Sequence, residues 1–211
     1  MVKINDETVS REEFNIYMYE TQKSFEELGG TDIWETDFDG RSAETVAKDN
    51  TLSTISYIKF AKEKAAEAGI EIDEDTAAQA DEHAAELYDS LTDAQKEMIG
   101  ADLELYEKVM GENALYNEVY KYIVKAYVVS DEDFEEYFTQ NEDTLTEQYR
   151  QAAGITDDTT EVDMEDVREF ARYNYEEYMK QLYFAKEYEK WEDTADIQKN
   201  TAQWNTVTLI R

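Results

Sequence analysis

Apolar and polar residues alternate through Val2-Lys3-Ile4-Asn5-Asp6-Glu7-Thr8-Val9, and the alternation stops at Ser10-Arg11-Glu12-Glu13, which has capping-box spacing. This pattern predicts a short strand leading into a helix. Phe14, Tyr17, Met18, Thr21, Phe25 and Leu28 then recur at intervals of three and four, until Gly29-Gly30 supplies a C-cap. After a loop over 31–40, Ser42 is an N-cap for a long helix carrying Val46, Ile55, Ile58 and Phe60 and stopping at Gly69. Asp73 caps a third helix reaching about Leu91. Thr92, with Gln95 three residues on, starts a short fourth one that Gly100 closes.

From Asp102 to about Val128 the pattern predicts a helix with two adjacent stripes. One is Leu115, Val119, Tyr122 and Ala126, and the other is Tyr116, Tyr120, Ile123 and Tyr127. Ser130 begins a further helix through Phe134, Tyr137 and Phe138 toward Gly154, with an interruption expected around Asn141-Glu142-Asp143. The last helix has the clearest repeat: Met164, Val167, Ala171, Tyr175, Tyr178, Leu182 and Ala185 mark one face up to about Trp191. The β-branched alternation of 204–210 reads as a strand. Isolated strands leave backbone groups unsatisfied, so Val2–Ile4 is expected to pair with Val207–Ile210. The fold class expected is therefore mainly α, with a small antiparallel sheet joining the N- and C-terminal strands.

Composition adds that these helices can run unbroken, because the 211 residues include no proline against a usual share of about 5%. A hydrophobic share of 41% and an aromatic share of 13% suit a globular chain rather than a disordered acidic one. Asp and Glu number 52 against 20 Lys and Arg, a formal charge of -32, so a phosphate backbone is repelled and no nucleic-acid partner is expected. With no cysteine, disulfides, thiol catalysis and Cys-ligated zinc are excluded within the chain. No apolar run approaches the roughly 18 residues of a membrane span, and residues 1–4 lack a signal-peptide core.

Motifs that carry chemistry are scarce. His83, the sole histidine, stands in Asp81-Glu82-His83-Ala84-Ala85-Glu86 and reads as a surface residue. Glu35-Thr36-Asp37-Phe38-Asp39-Gly40 has the acidic alternation of a calcium loop, yet the twelfth position from Glu35 is Val46 where a bidentate Glu is needed. Trp34 and Phe38 are better read as pinning that loop to a helix. No catalytic residue, metal ligand or cofactor is therefore expected. The 16 tyrosines stand out instead, since a ring with a polar tip suits a half-exposed groove for apolar segments. The candidate contacts are Tyr116, Tyr120, Tyr127, Tyr175 and Tyr178, each of which also has a plain reading as a core-edge helix position.

Two segments, Ile4 to Phe14 and Tyr188-Glu189-Lys190-Trp191-Glu192-Asp193-Thr194-Ala195-Asp196-Ile197, resemble the two ends of the SurA/PrsA-like chaperone domain, to which a helical domain of trigger factor is related. Ser130 to Phe138 resembles the helix that precedes the family's parvulin-type peptidyl-prolyl isomerase module. The resemblance implies one discontinuous helical chaperone-like domain, residues 1–138 and 164–211, with only the short segment 139–163 where a parvulin domain would be inserted. It implies an extracytoplasmic, ATP-independent foldase-like protein that binds unfolded or exported polypeptides. A lipid anchor upstream of Met1 would be its only link to a membrane. Two alternatives stay open: a surface lipoprotein scaffold or self-associating helical protein, homo-oligomeric in that case, and a peptidyl-prolyl isomerase.

Overall fold

Each helix start sits where a short polar side chain can take up a free backbone N–H. The computed structural model describes residues 1–157 and 160–210. Strands β1 (Val2–Ile4) and β2 (Glu7–Val9) form a hairpin, with Asn5 in the left-handed conformation at its turn. Ser10 accepts from the Glu13 N–H and opens α1 (Arg11–Gly29). A 3₁₀ turn over Thr31–Glu35 and a two-residue hairpin, β3 (Asp37–Phe38) with β4 (Arg41–Ser42), lead to α2 (Ala43–Ala68), capped by Ser42. Then come α3 (Glu74–Ser90), capped by Asp73, and α4 (Asp93–Ile99), whose capping box joins Thr92 and Gln95. Helices α5 (Leu103–Val124), α6 (Asp131–Ala152) and α7 (Met164–Glu192) follow, then β5 (Ile197–Lys199) and α8 (Thr201–Trp204). Among the described residues no helix is long and apolar enough to cross a membrane.

The fold is mainly helical, with a small antiparallel sheet in the order β2-β1-β5 that brings together strands from both ends of the chain. The C-terminal partner differs from the expected one. Val2 opposes Lys199 and Ile4 opposes Ile197, whereas residues 207–210 join no strand. Asn5 extends this ladder, donating its N–H to the Asp196 carbonyl at 2.8 Å and accepting from the Asp196 N–H through its side chain at 2.9 Å. The residues that looked most like a strand instead lie along α1, with Val207, Leu209 and Ile210 buried.

Two further expectations are corrected. Helix α6 runs without a break through Asn141-Glu142-Asp143, where the Asn141 amide donates back to the Tyr137 carbonyl at 2.8 Å. Helix α5 ends at Val124, about one turn short of Val128. Its buried line is Tyr106, Val109, Glu112, Val119 and Val124, and Tyr122 and Ala126 are exposed.

The chain forms two compact units, Met1–Tyr120 with Lys190–Arg211, and Lys121–Glu189. It leaves the first within α5 and returns within α7. The first unit is built on Val2, Ile4, Phe14, Met18, Ile55 and Phe60. Its rim carries all three tryptophans: Trp34 stacks on Phe25 at 5.6 Å, Trp204 meets Phe14 edge-on at 5.4 Å, and the Lys64 ammonium lies 5.9 Å from the Trp191 ring. The core of the second unit is Val129, Phe134, Phe138 and Leu145 against Val167 and Ala171, so α6 lies on the N-terminal half of α7.

Candidate functional site

The apolar face of α7 that the three-four repeat marks has two fates. Val167 and Ala171 are fully buried, and Tyr175 is packed at the edge of the same core, stacked on Tyr137 at 4.3 Å. Past that point the stripe continues with Tyr178 and Leu182, which are 56% and 39% exposed. That helix face is thus covered from Val167 to Tyr175 and open over its next turns, with Met164 at its start 38% exposed. Burial moves round the helix at its C-terminal end, where Phe184 and Tyr188 are enclosed. Tyr173 is exposed on a different side. Tyr127, just beyond α5, stacks on Tyr183 at 4.9 Å.

Of the five tyrosines marked in the sequence, Tyr178 is the one more than half exposed. Tyr116 and Tyr120 lie in the other unit and are half-buried on α5, as Tyr127 and Tyr175 are in theirs. Burial, with Tyr57 and Tyr120 nearby, holds the Tyr116 hydroxyl above its ordinary pKa, so it is a neutral ring with a polar tip. Tyr175 is likewise raised, by burial and then by Asp133. In the calcium-like loop, Asp37 accepts from the Gly40 N–H, a turn-closing contact, while Trp34 donates to Glu26 at 2.8 Å and so pins the loop to α1. His83 is exposed on α3, 3.9 Å from Glu86.

The first unit also holds a buried charge cluster that the hydrophobic pattern of the sequence does not mark. Lys59, only 1% exposed in the middle of α2, lies 2.5 Å from both Glu13 on α1 and Glu112 on α5, and 3.5 Å from Glu7 on β2. Lys62 joins Glu7 at 2.6 Å and Glu112 at 2.9 Å, and Lys108 joins Glu13 at 3.1 Å. Three lysines and three glutamates balance, and together they tie four elements. Burial disfavours charge on Lys59, but hydrogen bonds to Glu112 and Glu13 outweigh it and leave the ammonium above its usual pKa. Burial likewise works against the Glu112 carboxylate, and Lys59 and then Lys62 overcome it and hold its pKa below the usual carboxylate value. The neighbouring Tyr17 hydroxyl accepts from Asn113 and is pushed far up, by burial first and then by Glu112 and Glu13.

A cleft of about 430 Å³ opens beside this cluster, walled by Ile70, Ile72 and Leu115, with Lys62, Lys108 and Glu112 on its polar side. Gly111 forms part of its floor, where an added Cβ would meet no atom within 4 Å. The clearest sequence signal for the cluster was Lys59 itself, a charge set within the buried run Ile58-Lys59-Phe60-Ala61.

The fold and these surfaces define a mainly helical, strongly acidic protein with a partly uncovered aromatic helix face. No family model matches the chain, and neither a curated protein nor a solved structure matches it.

Proposed function

We propose that this chain is an ATP-independent, holdase-like chaperone of the SurA/PrsA type without a parvulin module, acting outside the cytoplasm on unfolded or exported polypeptides. The observation that carries the reading is the α7 stripe that α6 covers at Val167 and Ala171 and leaves open at Tyr178 and Leu182. A contiguous apolar patch left open marks a place for another molecule, and Tyr178 and Leu182 stand one helical turn apart on the same stretch. An amphipathic ring such as Tyr178 accepts varied apolar segments while its hydroxyl stays wet. The formal charge of -32 keeps a loaded complex dispersed. The element order lends further support: the β1–β2 hairpin and a helix open the chain, and the long α7 leads to a closing strand, the order of strand, helices, long returning helix and strand that the resemblance implies.

Suppression of aggregation of a thermally unfolded client tests the reading. The native chain keeps the client dispersed, and Tyr178→Ser with Leu182→Ser loses most of that effect at unchanged helix content. A native chain that leaves client aggregation unchanged at several-fold molar excess overturns the proposal. The same open stripe favours one other reading, a self-associating scaffold. In that case light scattering shows a stable oligomer that the double variant dissolves.

A further inference from the structure

The C-terminal segment is bound to its own protein the way an extended peptide is bound by a receptor. It makes no β-ladder, and a single side chain replaces one: the Gln22 amide donates to the Ile210 carbonyl at 3.0 Å and accepts from the Ile210 N–H at 2.8 Å. This two-way exchange with one residue is what a neighbouring strand supplies in an antiparallel pair. Gln22 is itself buried on α1 and is positioned by donating to Glu26 at 3.1 Å. At the other end of the segment, Arg11 donates to the Thr206 carbonyl at 3.1 Å. Between these anchors Val207 is buried, Thr208 faces solvent, and Leu209 and Ile210 are buried.

The seat is larger than its occupant. Clefts of about 410 and 570 Å³ open beside the segment, and Ile210 lines both. The smaller is bounded by Arg11, Asn15 and Gly100, and the larger by Tyr19, Lys23 and Trp34. Recognition here runs through backbone groups and apolar seats, so it fixes an extended shape and an apolar pattern rather than one sequence.

We propose that this α1 groove is a binding site for extended polypeptide segments that carry apolar side chains at the positions of Val207, Leu209 and Ile210, and that residues 206–210 are its resident, displaceable occupant. The proposal rests on the reading of the chain as a binder of unfolded polypeptides and names a second seat for them, separate from the open stripe of α7.

A fluorescent peptide with the sequence of residues 204–210 is the probe, titrated into the chain of residues 1–211. The native chain binds it weakly because its own segment competes. Leu209→Ser, which loosens that segment without removing it, raises the affinity at least tenfold. N-methylation of the peptide at its Ile210 position removes the donor to Gln22 and lowers affinity at least tenfold, and Gln22→Leu has the same effect on the protein side. Should Gln22→Leu fail to fold, the N-methylated peptide still interrogates the same hydrogen bond. No binding to the folded Leu209→Ser variant, or binding indifferent to N-methylation, overturns the proposal. Aggregation suppression measured on the same Leu209→Ser sample keeps the two readings apart. Suppression without peptide binding removes this groove and leaves the chaperone reading, whereas peptide binding without suppression removes the chaperone reading and leaves the groove.

Discussion

Lys59 shows how one residue can hold several elements. Its ammonium is enclosed between Glu13 and Glu112, so deleting it leaves two buried carboxylates without their main counter-charge. Lys59→Met is expected to cost about 3–5 kcal/mol in urea unfolding, the range for breaking a buried pair from one side. Adding Glu13→Leu and Glu112→Leu removes the orphaned charges and recovers most of the loss, and a cost below about 1 kcal/mol for Lys59→Met alone would show that water already reaches the cluster. The cluster also sets a pH window. Glu112 is lowered in the folded state, so its contribution is complete above the ordinary carboxylate pKa and is lost as pH falls through the lower folded value. Lys59 and Lys62 are raised, so their contributions are complete below the ordinary lysine pKa and are lost as pH rises through the raised folded values. Urea midpoints of the native chain and Glu112→Gln should therefore differ most near neutrality and converge in acid. A constant difference down to the lowest pH would refute the assignment. None of this cluster could be assembled from sequence, because Glu13, Lys59 and Glu112 are far apart along the chain and Glu and Lys are ordinarily surface residues.

At the scale of elements, the helix starts were legible because a cap is a local event. Ser10, Ser42, Asp73, Thr92 and Ser130 each satisfy an N–H three residues on, and no distant partner is needed. Strand β5 was not legible, since Ile197-Gln198-Lys199 has one apolar residue and is a strand only because β1 offers it a ladder. The apolar alternation of 207–210 did report burial, but it could not reveal that a glutamine side chain would satisfy the backbone there. The α7 stripe was legible as a face, while the end of its cover at Tyr175 depends on where α6 lies. Glycine positions separate two kinds of helix constraint. Gly111 lies inside α5 with open space at its missing Cβ, so Gly111→Ala is expected to raise stability by about 0.5–1 kcal/mol. Gly100 ends α4 at φ +74° and donates to the Lys96 carbonyl, so Gly100→Ala is expected to lower stability by about 1–2 kcal/mol. Equal effects in thermal melts would contradict both assignments.

For the whole molecule, charge is the dominant property, and it is unevenly placed. Between Ile70 and Glu107, across α3, α4 and the start of α5, Lys96 is the only lysine or arginine, and its ammonium sits 4.3 Å from the Tyr88 ring. Such a field draws cationic polypeptides and repels anionic ones over a Debye length. Raising the ionic strength from about 0.01 M to about 1 M shortens that length from roughly 30 Å to roughly 3 Å. Suppression of aggregation of a basic client should then weaken, and that of an acidic client should strengthen, so identical salt responses for the two would rule out electrostatic selection. The distribution of rings has a further consequence, an optical one. Trp34, Trp191 and Trp204 all belong to the unit formed by the two chain ends, and residues 121–189 contain tyrosine but no indole. Selective excitation of indole therefore reads side chains that belong to that unit, and Trp34 lies on the wall of the groove that holds Ile210. Emission from the native chain, with no dye attached, should change when a peptide that itself lacks tryptophan exchanges for the C-terminal segment beside Trp34.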